Sequence, residues 1–212
     1  MDYERQQSAN LLSFYTDEDM KHKSDILLRL VKAMKDEGVT WALSCSSSYF
    51  FRGILDEFDD YDIVVESNSV KKFMEVFKKI GGEAEIGKKN GKESFFSSKF
   101  FAYGTIEGVE FDIMSGFTVT TYSMEYCYEL EKEQIEYIKG IIPVCPIESS
   151  MMLYGMMIEW QAKRRFKYEL AKGFLRYNGV RYPDIFKEKK LPKFIQEDIA
   201  KLLGWASPHD FV

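Results

Sequence analysis

Residues Trp41–Glu66 read WALSCSSSYFFRGILDEFDDYDIVVE. Near the end of this stretch Asp60, Tyr61 and Asp62 run directly into Ile63-Val64-Val65. Side chains on a strand alternate faces, so carboxylates at i and i+2 project from the same side. Two acids forced together cost energy unless something positive sits between them. Oxygen-rich pairs of this kind suit Mg²⁺, and the apolar run behind them anchors the pair to a buried sheet. Ahead of the acids sits Leu43-Ser44-Cys45-Ser46-Ser47-Ser48, where a strand gives way to a short helix. Small residues there let backbone N–H groups approach a phosphate, and a helix N-terminus adds partial positive charge. A serine run alone is more often a turn and a cap. Neither His22 nor His209 is placed to act as base for a serine nucleophile.

A third acid follows downstream. Gly108-Val109-Glu110-Phe111-Asp112-Ile113-Met114 looks like the return strand of a hairpin, with Asp112 between apolar neighbours. A carboxylate inside an apolar strand is expensive to bury without a cation or hydrogen bonds. Glu110 has the same parity and falls on the same face, nearer the turn. The competing reading makes Asp112 an edge-strand acid facing water.

Working outward, Thr16 followed by Asp17, Glu18 and Asp19 opens a helix, with Met20, Leu27, Leu30, Val31 and Met34 as its stripe and Gly38 as its stop. Residues 1–15 read as a loosely docked arm. Val39 to Ser44 is a short buried strand. Ser69 caps a helix with Val70, Phe73, Met74, Phe77 and Ile80 on one face, ended by Gly81-Gly82. From Glu83 to Val144 the pattern is strand-like, most clearly at Ser94–Thr105, Val109–Met114, Ile135–Lys139 and Ile141–Val144. After Pro146 the chain reads helical over Met151–Trp160, Lys163–Tyr177 and Pro192–Leu203, with Gly173 a potential interruption. The expected fold class is α+β: a mixed sheet flanked by helices in residues 1–145, then a helical region in 146–212.

The 45% hydrophobic and 16% aromatic content of the 212 residues fits a globular chain and argues against disorder. A net charge of −5 gives no global attraction to nucleic acid or an anionic membrane. Cys45, Cys127 and Cys145 form no CxxC pair, and with two histidines a zinc site is not expected. The chain begins Met-Asp-Tyr-Glu-Arg, without the basic and apolar regions of a signal peptide, and no apolar run reaches membrane-spanning length. The expected location is the cytoplasm.

Spacing ties these pieces together. Gly53 falls seven residues after Ser46 and Asp60 fourteen after it. With Ser44-Cys45-Ser46 read as a degenerate Gly-Gly-Ser, the stretch resembles the DNA polymerase β-like nucleotidyltransferase superfamily, in particular its antibiotic-modifying and abortive-infection toxin branches. GVEFDIMSGF at 108–117 is similar to the third-acid strand of that family, and IPVCPIESSMMLY at 142–154 to the strand, proline and Glu-led helix that follow it. The resemblance covers roughly residues 25–170. It implies transfer of a nucleoside monophosphate from an NTP to a hydroxyl-bearing acceptor (a small molecule, a protein or a tRNA end), with pyrophosphate released. Asp60, Asp62 and Asp112 would hold two Mg²⁺ ions, and Asp112 would help take the acceptor's proton. Ser44, Cys45 and Ser46 would form the phosphate turn with Gly53 beyond it, and Arg52 would face either the nucleotide or solvent. The departure from the family is the loss of glycine at Ser44 and Cys45, since a Cβ hinders φ > 0 conformations. The alternative is therefore a catalytically impaired module of the same fold that binds nucleotide or a partner protein, a toxin–antitoxin partner included.

Lys163-Arg164-Arg165-Phe166-Lys167 is the densest basic cluster. It reads as a solvated helix face or as phosphate ligands, for which Lys163 and Arg165 are the candidates. Met151, Met152, Met156 and Met157 read as core packing, with an adaptable acceptor pocket as the alternative.

Overall fold

The structure is a computed structural model that describes residues 18–87, 95–122, 124–187 and 191–204. The expected arm at 1–15, the cap at Thr16 and the tail with His209 lie outside the described residues. Helix α1 (Glu18–Asp36) buries the expected stripe of Met20, Leu27, Leu30, Val31 and Met34. The chain leaves it through Gly38 at φ 65°, a left-handed exit that glycine adopts without steric cost. Strand β1 (Trp41–Leu43), helix α2 (Cys45–Phe51) and strand β2 (Tyr61–Val65) then form the acid-bearing unit. Helix α3 (Val70–Lys79) and strand β3 (Glu83–Ile86) follow, then the long strands β4 (Phe96–Ile106) and β5 (Val109–Thr120). Strands β6 (Glu125–Tyr128), β7 (Glu136–Ile138) and β8 (Ile142–Val144) complete the sheet, and helices α4 (Ile147–Met157), α5 (Arg164–Asn178) and α6 (Lys193–Leu203) close the described chain.

The eight strands form one mixed sheet in the order β3-β4-β5-β2-β1-β8-β7, with β6 paired to the distal end of β5. β2 runs parallel to β5, and β1 parallel to β8, while the remaining pairs are antiparallel. The expected α+β class is what is observed. Two boundaries differ markedly from the sequence reading. The strand expected to end at Met114 continues to Thr120, because its extra residues keep their partners on β4 and gain new ones on β6. The helix expected from Met151 begins at Ile147, entered from Pro146 at ψ 141°, since residues 147–150 are buried and must satisfy their backbone polar groups internally. Gly173 leaves α5 unbroken.

Alternation along the strands splits the core between the two faces. Tyr61, Ile63, Val65, Phe111 and Ile113 pack with α1 and α3. Ala42, Val64, Met114, Phe117 and Val119 pack with α4, α5 and α6. Asp62 and Asp112 share the parity of Val64 and Met114, so they rise on the face that carries α4 and α5. No described helix is long and apolar enough to cross a membrane.

Candidate active site

Parallel pairing of β2 with β5 sets Asp62 directly opposite Asp112. β5 lies inside the sheet between β4 and β2, so Asp112 is not an edge-strand acid. Asp60 stands in the bend just before β2 rather than in the strand, yet it lines the same cavity as Asp62 and Asp112, a space of about 360 Å³. The crowding leaves a mark on the titration of the pair. Burial, reinforced by the charges of Asp60 and Asp112, pushes Asp62 up to about 8, against the pull of Lys167 and Arg164. Burial and the charges of Asp60 and Glu110 push Asp112 up to about 6.

Opposite the acids the cavity wall is cationic: Lys163, Arg164 and Lys167 line it together with Ser46. Lys167 Nζ donates to Ser46 Oγ, which also lies 3.2 Å from the Tyr154 hydroxyl. Lys167 and Arg164 both sit over the Tyr154 ring, at 5.6 and 5.9 Å from its centroid. Cations and acids thus face each other across one space, the arrangement needed to hold a polyanion and a metal together.

The turn that presents Ser46 forms despite its missing glycines. Ser44 has an extended backbone, φ −126° and ψ −179°, which any residue adopts. Cys45 takes φ 49°, the left-handed region where a Cβ costs roughly 1–2 kcal/mol. Its surroundings hold it there: the Ser44 N–H donates to the Asp62 carbonyl at 2.8 Å, and Tyr49 on α2 packs edge-on against Tyr154 at 5.6 Å. Burial pushes the Cys45 thiol far up, so it is no thiolate nucleophile. Helix α2 has seven residues, too few for a strong dipole, which leaves the side-chain cations as the main attraction for phosphate.

Of the expected phosphate ligands, Ser46 and Lys163 line the acidic cavity, Ser44 is buried behind it, and Cys45 lines a second cavity beside it. Arg52 is engaged elsewhere. Its guanidinium donates to Glu136 Oε2 and to the Cys145 carbonyl, both at 2.8 Å. Gly53 makes the exposed turn after α2 at φ 71°. Arg165 lies over the Phe194 ring, 5.6 Å from its centroid. The sequence reading missed Arg164 and Lys167. Their signal was the apolar stripe Tyr168, Ala171, Leu175 on α5: counting back four from Tyr168 reaches Arg164, next to the buried face.

Three carboxylates are the donor type that hard divalent cations take, and burial together with mutual repulsion raises Asp62 and Asp112. In donor chemistry the site fits Mg²⁺. No group of three His, Cys, Asp or Glu side chains among the described residues is already arranged to hold a metal ion.

Neither protein-family models nor curated proteins match the chain. Solved structures do. A protein from Thermotoga maritima described as a candidate nucleotidyltransferase is 19% identical, with a TM-score of 0.50, over 74% of this chain and 94% of that one. ANT(2'')-Ia in complex with adenylyl-2''-tobramycin is 11% identical, with a TM-score of 0.52, over 85% of this chain and 96% of that one. A solution structure of the antibiotic-resistance factor ANT(2'')-Ia is 13% identical, with a TM-score of 0.50, over 74% and 86%. At such identities the likeness is one of fold. The chain has a nucleotidyltransferase fold.

Proposed function

We propose that the protein is a Mg²⁺-dependent nucleotidyltransferase that moves a nucleoside monophosphate from an NTP to a hydroxyl-bearing acceptor. One observation carries this reading: Asp60, Asp62 and Asp112 share a single cavity with Ser46, Lys163, Arg164 and Lys167. Acids alone would suit a cation and lysines alone a phosphate. Both in one space suit a metal-bound triphosphate. Asp60, Asp62 and Asp112 would hold the metal, which when bound supplies Lewis-acid stabilisation of charge on the phosphoryl oxygens.

The residues of the chain do the rest. Lys163, Arg164, Lys167 and the Ser46 hydroxyl orient the β- and γ-phosphates and neutralise the leaving pyrophosphate. The acceptor oxygen forms its bond to the α-phosphorus as the bond to the bridging oxygen breaks, and its proton passes to the Asp112 carboxylate. The adenylylated product bound by ANT(2'')-Ia is in keeping with such a transfer. The left-handed backbone of Cys45 favours a working turn over the impaired module, because the conformation a glycine would supply is present. Free thiols at Cys45, Cys127 and Cys145 and the need for an NTP suit the cytoplasm.

The test is incubation of the purified protein with α-labelled ATP, GTP, CTP or UTP, Mg²⁺ and a panel of alcohols. Label should pass to an acceptor with release of pyrophosphate. Asp60→Ala should abolish transfer while leaving the circular dichroism spectrum and thermal midpoint nearly unchanged. Full transfer by that variant would sink the assignment.

A further inference from the structure

Beside the acidic cavity lies a second one of about 390 Å³, and the two share Asp62, Asp112 and Arg164 as walls. Its chemistry is different. Helix α4 packs against β5 and β6 on this face, and among the described residues Tyr103 of β4 is left exposed beside it. Cross-strand pairs Tyr103↔Asp112 and Phe101↔Met114 place Tyr103 and Phe101 on the same face as the acids. A solvated sheet face ordinarily carries polar side chains. Here Phe96, Phe101 and Tyr103 line the opening, with Met114, Phe117 and Met157 behind them, and Tyr103 is 59% exposed. The two rings on β4 stand edge to face, 4.7 Å apart. Large aromatics left beside a charged centre mark a ligand surface.

The direction of the chemistry says which ligand. On the reading of the site as a nucleotidyltransferase, on which this inference rests, the pyrophosphate leaves toward Ser46, Lys163 and Lys167. In-line displacement brings the attacking oxygen from the opposite side of the phosphorus, where the aromatic cavity begins. Charge narrows the class. Asp62 and Asp112, the metal-facing pair, are its only carboxylates among the described lining residues, and its other charges are the cations Lys99 and Arg164. Apart from that pair, a polycation would find no carboxylate among the described lining residues.

We infer that the aromatic cavity receives the acceptor, and that the acceptor is a neutral, ring-bearing alcohol stacked on Phe101 and Tyr103 with a hydroxyl directed at Asp112. The hydroxyl oxygen bonds to the α-phosphorus, the phosphorus–oxygen bond to the β-phosphate breaks, pyrophosphate leaves with the electron pair, and the proton goes to Asp112.

The experiment uses the full chain and three probes. Titration calorimetry with Mg²⁺ and a non-hydrolysable α,β-methylene ATP reads the nucleotide site. Fluorescence titration with 4-methylumbelliferyl β-D-glucopyranoside reads a neutral ring-bearing alcohol, and competition by neomycin reads a polycation. The glycoside should bind, and Tyr103→Ala, a change at an exposed side chain, should weaken it about five- to tenfold, the loss of one aromatic contact, with nucleotide affinity little altered. Failure of the glycoside to bind, tighter binding of neomycin, or a Tyr103→Ala variant with unchanged glycoside affinity would each overturn the inference. Glycoside binding without any nucleotide binding would support the ligand class of the cavity and overturn the transferase reading instead.

Discussion

Cys45 occupies a backbone conformation at φ 49° that suits glycine, and it is buried there. Removing a buried side chain ordinarily destabilises a protein by a few kcal/mol. At this position relief of the left-handed strain, about 1–2 kcal/mol, offsets both the lost packing and the extra freedom of an unfolded glycine. Cys45→Gly is therefore expected to stay within about 1 kcal/mol of the parent in urea unfolding. Cys45→Val, with a branched Cβ at the same φ, should lose markedly more. The acids give a second prediction at this scale. Folding raises Asp62 from 3.8 to about 8, so between those values the folded state keeps a proton that the unfolded state has released. Stability then falls as pH rises through that window, adds nothing further below it, and is lowest above about 8. Asp112, raised to about 6, acts with the same sign over the lower part of the range. Metal-free urea unfolding should show this slope between pH 5 and pH 8, and Asp62→Asn should flatten it and raise stability at the alkaline end. An unchanged slope in that variant would mean that other groups set it. The acids were legible in the sequence because parity along a strand and an apolar run are local facts. Of the cations, Lys163 was legible but Arg164 and Lys167 were not. Arg164, Arg165 and Lys167 are interchangeable on paper until the buried stripe of α5 sets their phase, and that stripe is defined by what packs against it.

Elements are joined at one place by Arg52, at the end of α2. Its side chain, 5% exposed, pairs with Glu136 of β7, itself 13% exposed. It also reaches the carbonyl of Cys145 after β8 and lies over the Phe174 ring of α5. Glu136 keeps a longer contact, 3.4 Å, with the exposed Arg181. Taking one partner from a buried pair leaves an uncompensated charge, which costs about 3–5 kcal/mol. Arg52→Met should lower stability by roughly that amount in equilibrium urea unfolding. The loss should shrink in the double variant with Glu136→Gln, which removes the stranded carboxylate. A variant as stable as the parent would contradict a clasp at this point. From sequence, Arg52 reads equally well as a phosphate ligand, because its partner stands 84 residues away and no local pattern announces it.

Over the whole molecule, the period of each segment and the glycine stops were enough to anticipate an α+β sheet with helices after it. What they left out was pairing. In sequence the strand is clearest over Val109–Met114, and beyond it the chain carries a glycine at 116. β5 instead continues through Gly116 at φ 58°, because β4 and β6 supply partners on both sides. Likewise Phe101 and Tyr103 look like ordinary strand aromatics. Only the cross-strand register places them beside Asp112, and only the folded sheet shows Tyr103 exposed there. A chain can thus announce clustered acids by identity while the surface beside them stays implicit in topology.

The parallel register of Asp62 against Asp112 also orders events as the chain is made. Parallel neighbours cannot be joined by a tight turn, so the acids do not meet until α3, β3 and β4 have emerged between them. Domains are synthesised from the N-terminus onward, and Lys167, which clasps Ser46, emerges later still. A ribosome-bound or prematurely ended chain stopping short of α5 would possess its acids without the opposing cations. The cavity's cationic wall is consequently completed only after every strand of the sheet has been made.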